Sequence, residues 1–152
     1  MKALLQKVSS ASVAVDGKII SNIKNGLLIF LGIAKDDSEV ELKKLAQKCC
    51  QLRIFEDENL KLNRSVLDVE GEVLIVSQFT LLADTTRGLR PGFEEAAAPE
   101  KAENYYLKFI NEVKLILDPL KVKTGIFRAM MKVELINEGP VTIILETNKS
   151  NS

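Results

Sequence analysis

The sequence predicts a mixed α/β domain in which two helices pack on the outside of curved β-sheets. Three observations support this prediction: strand-like and helix-like segments alternate, two apolar runs resemble strands buried on both faces, and two longer segments have the apolar spacing of amphipathic helices. The 152 residues contain no internal repeat or linker. We therefore expect a single domain at residues 1–147, followed by a flexible polar tail at residues 148–152.

Both ends of the chain are predicted to form β-structure. Residues 3–8 and 11–15 have strand composition, and Asp16-Gly17 is a two-residue hairpin signal after them. Near the other end, a turn is predicted at residues 137–140, followed by a last strand at residues 141–145.

Two apolar runs are predicted to be the central strands. Residues 27–33 follow a turn at Asn25-Gly26, and residues 73–82 begin with four consecutive aliphatic side chains. A half-exposed strand would alternate apolar with polar residues, so these runs belong at the centre of a sheet. Short strands are also predicted at residues 60–63 and 66–69.

Two helices are predicted from their ends and from their apolar spacing. Ser38 and Glu41 match the S-x-x-E capping box of a helix that should end near Arg53. Pro99 takes the first position of a second helix, which Asp118-Pro119 ends.

The composition excludes several kinds of chemistry. Histidine is absent, which removes the Ser-His-Asp and Cys-His mechanisms and the H-E-x-x-H zinc site. Any catalysis needs another proton carrier, and we expect no metal and no cofactor. With 21 basic and 21 acidic residues the chain has no net charge. This argues against strong electrostatic binding along a long nucleic acid such as DNA, but it allows contact with one end of a nucleic acid.

The sequence also predicts where the protein works. No apolar run has the length of a membrane span, and the N-terminus lacks the apolar region of a signal peptide. We therefore expect a cytoplasmic protein that does not contact a membrane. Cys49 and Cys50 are adjacent, which suits neither a metal-binding motif nor an ordinary disulfide, so we expect reduced thiols on a helix.

Polar side chains end the second apolar run. Ser77, Gln78 and Thr80 surround Phe79, and large hydrophobic residues flank all four. A buried polar group left unpaired costs about 1–3 kcal/mol, so these side chains need partners or a cavity. The residue types alone allow a functional site, or simply hydrogen bonds from Ser77 and Thr80 to neighbouring backbone where the strand ends.

A long loop without periodicity follows at residues 84–95. Such loops are often binding loops in compact domains, and here Arg87 and Arg90 could hold a phosphate. The alternative is that the two arginines are solvated charges paired with Glu94 or Glu95.

Two segments together resemble a known family. Ser77-Gln78-Phe79-Thr80-Leu81 and Asn137-Glu138-Gly139-Pro140-Val141-Thr142 are similar to the two signature motifs of the D-aminoacyl-tRNA deacylases. Further similar segments extend the resemblance over nearly the whole chain: Gln6-Lys7-Val8, Gly26-Leu27-Leu28, Arg53-Ile54-Phe55, Arg87-Gly88-Leu89-Arg90-Pro91 and Thr124-Gly125-Ile126-Phe127. The sequence departs from the family pattern at Lys7, Gly92 and Arg128. Arg128 adds bulk and charge just after a motif near the expected active site, where it could touch RNA or point to solvent.

The resemblance implies a homodimer of barrel-like β/β/α layers with active sites at the subunit interface. It implies hydrolysis of D-aminoacyl-tRNA, and of mischarged glycyl-tRNA such as glycyl-tRNA-Ala, bound by the 3′ end. Gly139-Pro140 is expected to be a cis peptide that reaches across the interface. Its carbonyl oxygens would leave room for a hydrogen or a D side chain but not for an L side chain.

Two mechanisms remain open at the expected site. Thr80 could be a nucleophile, although no histidine or obvious lysine stands ready to activate it. The resemblance favours backbone N–H groups of Phe79 and Thr80 that hold the carbonyl oxygen, while the 2′-hydroxyl of the terminal adenosine assists a water molecule. The rival functions are a small-molecule esterase or thioesterase that uses Thr80 or Ser77, and a dimeric RNA-end binding module without catalysis.

Overall fold

The computed structural model describes residues 1–147, so the tail predicted at residues 148–152 lies outside the described residues. Strands make up most of the regular structure. In chain order they are β1 (Lys2–Val15), β2 (Lys18–Ile23), β3 (Gly26–Gly32), β4 (Phe55–Glu56), β5 (Leu62–Arg64), β6 (Glu72–Ser77), β7 (Val122–Thr124) and β8 (Lys132–Glu146). The two α-helices of the described residues are α1 (Glu39–Gln51) and α2 (Pro99–Ile116).

The main sheet is organised around the long strand β1. One edge of β1 pairs with β3 over residues 2–8 and then with β2 over residues 11–15, while the other edge pairs with β8 along most of its length. The two segments with strand composition, residues 3–8 and 11–15, are therefore parts of one continuous strand. The exposed residues Ser9 and Ser10 mark the point where β1 changes partner, and the chain does not turn there.

β3 and β6 are central strands, as predicted. The strand order is β2-β1-β3-β6-β7, and β6 runs parallel to both of its neighbours. Alternate side chains of β3 face two cores: Leu27 faces the core shared with the helices, and Leu28 faces the interior of the curved sheet. The Oγ of Ser21 donates to the carbonyl of Thr124 at 2.6 Å, which brings β2 to β7 and nearly closes the sheet into the expected barrel-like shape.

The two helices pack outside the sheet and against each other, as predicted. The capping box is present: the N–H of Glu41 donates to the Oγ of Ser38 at 3.3 Å, and the N–H of Ser38 donates to the Glu41 carboxylate at 2.9 Å. Pro99 is the first residue of α2, and Leu117 caps its end. No helix within residues 1–147 is long and apolar enough to cross a membrane.

β6 is shorter than the sequence predicted. The strand ends at Ser77, and the chain turns at Gln78 into a 3₁₀ helix, whereas the apolar pattern predicted a strand as far as residue 82. The reason lies in the neighbouring strand. β3 ends at Gly32, so no partner remains for a longer β6 on that side.

Two other local predictions are wrong. Residues 66–69 form turns, because the side chains of Ser65 and Asp68 each accept a hydrogen bond from the other residue's backbone N–H. Residues 137–140 do not separate two strands. They lie within β8, which continues through them as one bulged strand paired with β1.

Candidate active site

The site begins where β6 ends. The 3₁₀ helix Phe79–Leu82 folds back over the end of β3, and Gly32 allows this close approach. A Cβ atom on Gly32 would collide with the Leu82 side chain and would lie 3.0 Å from the carbonyl oxygen of Gln78. A side chain at position 32 would therefore displace the 3₁₀ helix.

The 3₁₀ helix leaves two backbone donors free. The N–H of Gln78 donates to the carbonyl of Leu31 at 2.8 Å, and the N–H of Leu81 donates to the carbonyl of Gln78 at 3.2 Å. Among the described residues, the N–H groups of Phe79 and Thr80 have no such acceptor, as is usual at the start of a helix. Two adjacent free donors suit an oxygen that gains negative charge.

The two residues that carry these donors line a cavity with a volume of about 730 Å³. All four residues from Ser77 to Thr80 line it, so the structure gathers the predicted motif around one space. The first turn of α2 contributes Pro99 and Ala102 to its wall. The segment between β7 and β8 contributes Phe127 and Arg128.

The cavity offers little acid–base chemistry of its own. Of the described residues that line it, Arg128 is the only one with an ionisable side chain. The exposed Thr80 accepts a hydrogen bond at Oγ1 from the Nε2 of Gln78, and the structure shows no backbone hydrogen bond from the side chain of Ser77 or Thr80 within residues 1–147. A hydroxyl without a neighbouring base is a weak nucleophile.

The phenol beneath the site is a packing group. The hydroxyl of Tyr106 donates to the carbonyl of Ile75 in β6 at 2.8 Å, and its ring lies 6.0 Å from that of Phe127. Burial raises the pKa of Tyr106 to about 12. Tyr106 therefore holds α2 against β6 as a neutral phenol.

The loop at residues 84–95 is fixed at its base and open at its tip. Asp84 and Gly92 exchange two backbone hydrogen bonds of 2.8 Å, and the backbone N–H of Thr86 lowers the pKa of the Asp84 carboxyl. Arg87 and Arg90 at the tip are exposed, make no ion pair with any described residue and do not line the cavity. Both arginines are therefore solvated, as the alternative expected, and the structure shows no ion pair from either of them within residues 1–147.

Gly139-Pro140 lies outside the cavity of its own chain. Residues 138–141 of β8 stand opposite Lys7 alone, so this part of β8 bulges from the sheet. The peptide bond is cis, as the family resemblance implied. Gly139 and Pro140 are both exposed in the single chain, and neither lines the cavity.

The side chain of Asn137 holds this bulge in shape. Its Oδ1 accepts a hydrogen bond from the N–H of Val141 at 3.2 Å, and its Nδ2 donates to the Oγ1 of Thr142 at 2.9 Å. The Nε2 of Gln6 in β1 also donates to Thr142 Oγ1, at 3.3 Å. These bonds close the bulge across its base and tie it to β1 through Thr142.

Sequence reasoning missed the apolar walls of the site. Phe93 packs edge-on against Phe79 with ring centroids 5.0 Å apart, and Met130 and Met131 also line the cavity. A pair of methionines before a strand is equally typical of a core. Only the tertiary structure shows that Met130 is exposed beside the cavity.

Comparison with known proteins gives consistent results over the whole chain. The model of a family described as D-Tyr-tRNA(Tyr) deacylase matches residues 4–146. A D-aminoacyl-tRNA deacylase of Dictyoglomus turgidum is 56% identical over 147 residues, which cover 97% of this chain and 93% of that protein. One from Thermotoga petrophila is 53% identical over 150 residues, with coverage of 98% and 99%.

Solved structures with the same fold include two informative ones. A structure titled c-Myc DNA Unwinding Element Binding Protein is 42% identical, has a TM-score of 0.94 and covers 97% of this chain and 99% of its own. A probable eukaryotic D-amino acid tRNA deacylase has a TM-score of 0.83 over 95% of this chain and 97% of its own. At 17% identity, the second structure shows a shared fold alone.

Proposed function

Because this chain belongs to the D-Tyr-tRNA(Tyr) deacylase family, we propose that it hydrolyses the ester bond of D-aminoacyl-tRNA and releases the free D-amino acid. One observation carries the proposal. Two free backbone N–H groups, on Phe79 and Thr80, border a cavity that lacks a general base among its described lining residues. That combination fits an ester of the terminal adenosine of tRNA, because a hydroxyl of the adenosine itself can assist the hydrolysis.

In this mechanism the backbone supplies the hydrogen-bond donors that stabilise the developing oxyanion. The N–H groups of Phe79 and Thr80 bind the carbonyl oxygen of the ester and stabilise the negative charge that develops on it. The free 2′-hydroxyl of the terminal adenosine positions or activates the attacking water. The substrate thus supplies the group that a histidine supplies in many other hydrolases.

Selection for D substrates comes from the partner subunit in this proposal. Gly139-Pro140 is exposed, lies in a bulge of β8 and does not line the cavity of its own chain, and this placement supports a role at the site of a second copy. Its carbonyl oxygens exclude an L side chain at the Cα of the aminoacyl group. Glycine has no side chain, so mischarged glycyl-tRNA is also a substrate.

The partner is the 3′ end of a charged tRNA. Arg87 and Arg90 are available to phosphates, and a neutral chain that contacts few phosphates should show a shallow salt dependence. A cytoplasmic location, where charged tRNA is found, is part of the same proposal. DNA is not a partner in it, because the chain carries no net positive charge.

The direct test is release of labelled amino acid from matched D- and L-tyrosyl-tRNA and from glycyl-tRNA. We expect D-specific release, cleavage of glycyl-tRNA, and a collapse of the rate when the tRNA ends in 2′-deoxyadenosine. D-tyrosine ethyl ester is the control for hydrolysis of an ester that lacks the tRNA. A DNA duplex is the control for binding of a nucleic acid other than tRNA.

Other results would favour other functions. Turnover of the ethyl ester at a rate comparable to that of the tRNA ester would favour a small-molecule esterase. Tight binding of charged tRNA without release of either enantiomer would favour an RNA-end binding module. Retention of full activity on the deoxy substrate would contradict assistance by the 2′-hydroxyl.

A further inference from the structure

The cavity carries a single charge at its edge. Its described lining residues are apolar or neutral apart from Arg128. Arg128 is exposed, and its guanidinium forms no ion pair or hydrogen bond with any residue that the structure describes. A cation at the edge of a neutral cavity favours a ligand with a negative charge at that point.

The backbone holds Arg128 at this position. Its φ angle is 66°, in the left-handed region, within a turn in which the N–H of Ala129 donates to the carbonyl of Ile126 at 3.2 Å. On either side, Phe127 and Ala129 are partly buried and line the same cavity. The position of the Arg128 backbone is therefore set by its neighbours, while its side chain remains free.

The chemistry of the substrate limits what this cation can bind. The aminoacyl group carries an ammonium, which a guanidinium repels. The nearest obligatory anion on the same molecule is the phosphodiester that joins the terminal adenosine to the nucleotide before it. A planar guanidinium matches two phosphate oxygens with parallel N–H donors.

We propose that Arg128 binds the phosphodiester on the 5′ side of the terminal adenosine and thereby positions the ester at the N–H groups of Phe79 and Thr80. This inference rests on the proposed function and adds a phosphate contact at the edge of the same cavity. Arg128 acts as a positioning residue, because it has no part in the bond that breaks.

The test compares two short substrates, of which the longer adds one phosphodiester and the cytidine attached to it. They are the D-tyrosyl ester of adenosine and the D-tyrosyl ester of the cytidylyl-adenosine dinucleotide. For the unmodified protein we expect kcat/KM to be about tenfold higher on the dinucleotide, the effect of one charge-assisted contact. In Arg128→Gln this advantage should disappear, whereas Arg128→Lys should keep part of it.

Matched variants separate this contact from effects on folding. Arg128→Gly suits the left-handed backbone and should lose the dinucleotide advantage as Arg128→Gln does. Lys132→Ala removes an exposed cation that does not line the cavity, and it should keep the advantage. On intact D-tyrosyl-tRNA, Arg128→Gln should make the slope of log kcat/KM against log salt shallower by about 0.7.

The outcomes distinguish this inference from the proposed function. If the unmodified protein releases no D-tyrosine from tRNA, both fail. If it does, but Arg128→Gln keeps the dinucleotide advantage or the salt slope, the inference alone is overturned. A further comparison uses D-aspartyl and D-asparaginyl esters. If Arg128→Gln lowers kcat/KM only for the D-aspartyl ester, the inference is also overturned, because Arg128 would then bind an acidic side chain of the substrate.

Discussion

At the scale of single residues, the site depends on backbone groups more than on side chains. Thr80 has a hydroxyl and an N–H on the same residue, and the structure gives them different surroundings. The hydroxyl is hydrogen-bonded to the amide of Gln78, while the N–H has no backbone acceptor within residues 1–147. This arrangement allows the two groups to be tested separately.

Replacing Thr80 by Ala removes the hydroxyl, and replacing it by Pro removes the N–H. We expect Thr80→Ala to keep kcat/KM for D-tyrosyl-tRNA within about tenfold of the unmodified protein. Thr80→Pro should lower it by about 10²–10³, the cost of one oxyanion donor. Thr80 is the second residue of the 3₁₀ helix, and a proline disfavours helical dihedral angles at the residue before it, here Phe79. Thermal unfolding of Thr80→Pro, measured beside the kinetics, separates this backbone effect from the loss of the donor.

Ser77→Ala serves as the control for a second hydroxyl in the cavity and should behave like Thr80→Ala. A loss of several orders of magnitude in Thr80→Ala, with its folding intact, would contradict the backbone mechanism and would identify the threonine as the nucleophile.

At the scale of elements, the position of the 3₁₀ helix depends on the end of β3. Gly32 is in contact with the far end of this helix and with Gln78 at its start. A Cβ atom on Gly32 would lie 3.2 Å from the Cβ of Leu81 and 3.0 Å from the carbonyl oxygen of Gln78. The absence of a side chain at Gly32 therefore allows the 3₁₀ helix that carries the two N–H donors to pack closely on β3.

Gly32→Ala should displace the 3₁₀ helix away from β3. We expect the free energy of unfolding to fall by about 1–3 kcal/mol, because the position is already fully packed. kcat/KM should fall by about tenfold or more, because small shifts of positioning groups are costly to catalysis. Urea denaturation and deacylation kinetics measure the two effects.

Gly92→Ala is the matched control. The nearest atoms to its added Cβ would belong to the carboxylate of Glu94, at 3.2 Å, and that side chain can move. If Gly32→Ala and Gly92→Ala lower kcat/KM equally, the positioning role of Gly32 is contradicted.

At the scale of the whole molecule, β8 leaves a large surface without a partner. Within the described residues β8 pairs only with β1, so its other edge has unpaired backbone groups. Its outward face carries Ile136 and Ile144, which are 59% and 62% exposed. A long edge strand with apolar side chains favours pairing with another chain.

We expect the protein to be a homodimer in which β8 contributes to the interface. Sedimentation equilibrium should give twice the mass of one chain, and Ile144→Asp should shift the equilibrium toward the monomer and lower deacylase activity with it. The Ile144 position lies outside the cavity, so loss of activity would follow from loss of the dimer.

Cross-linking tests whether Gly139-Pro140 of one subunit lies near the cavity of the other. Glu138→Cys lies beside Gly139-Pro140, and Met130→Cys lies beside the cavity. A mixture of these two variants should form a linked dimer with a short bis-maleimide, whereas each variant alone should link less. Burial raises the pKa of the native thiols Cys49 and Cys50, which keeps them from competing. If the protein is a monomer at the concentration at which it shows deacylase activity, a site built from two subunits is contradicted.

Much of this protein could be predicted from short-range features of the sequence. Ser38 and Glu41 identified the start of α1 because a capping box is a local hydrogen-bonding pattern. Pro99 identified the start of α2 for the same kind of reason, since proline is tolerated where no N–H acceptor exists. The motif from Ser77 to Thr80 was recognised because its polar residues interrupt an apolar run.

Other features were decided by the tertiary structure. The sequence could not show that β6 ends at Ser77, because that depends on where its partner β3 ends. It could not show that residues 137–140 stay within β8, since their pairing partner lies far away in β1. The family resemblance placed Arg128 near the site and Gly139-Pro140 across an interface, but only the structure shows that Arg128 lines the cavity and that Gly139-Pro140 does not. Caps and apolar periodicity act over a few neighbouring residues, whereas strand ends, bulges and cavity walls depend on segments that only folding brings together.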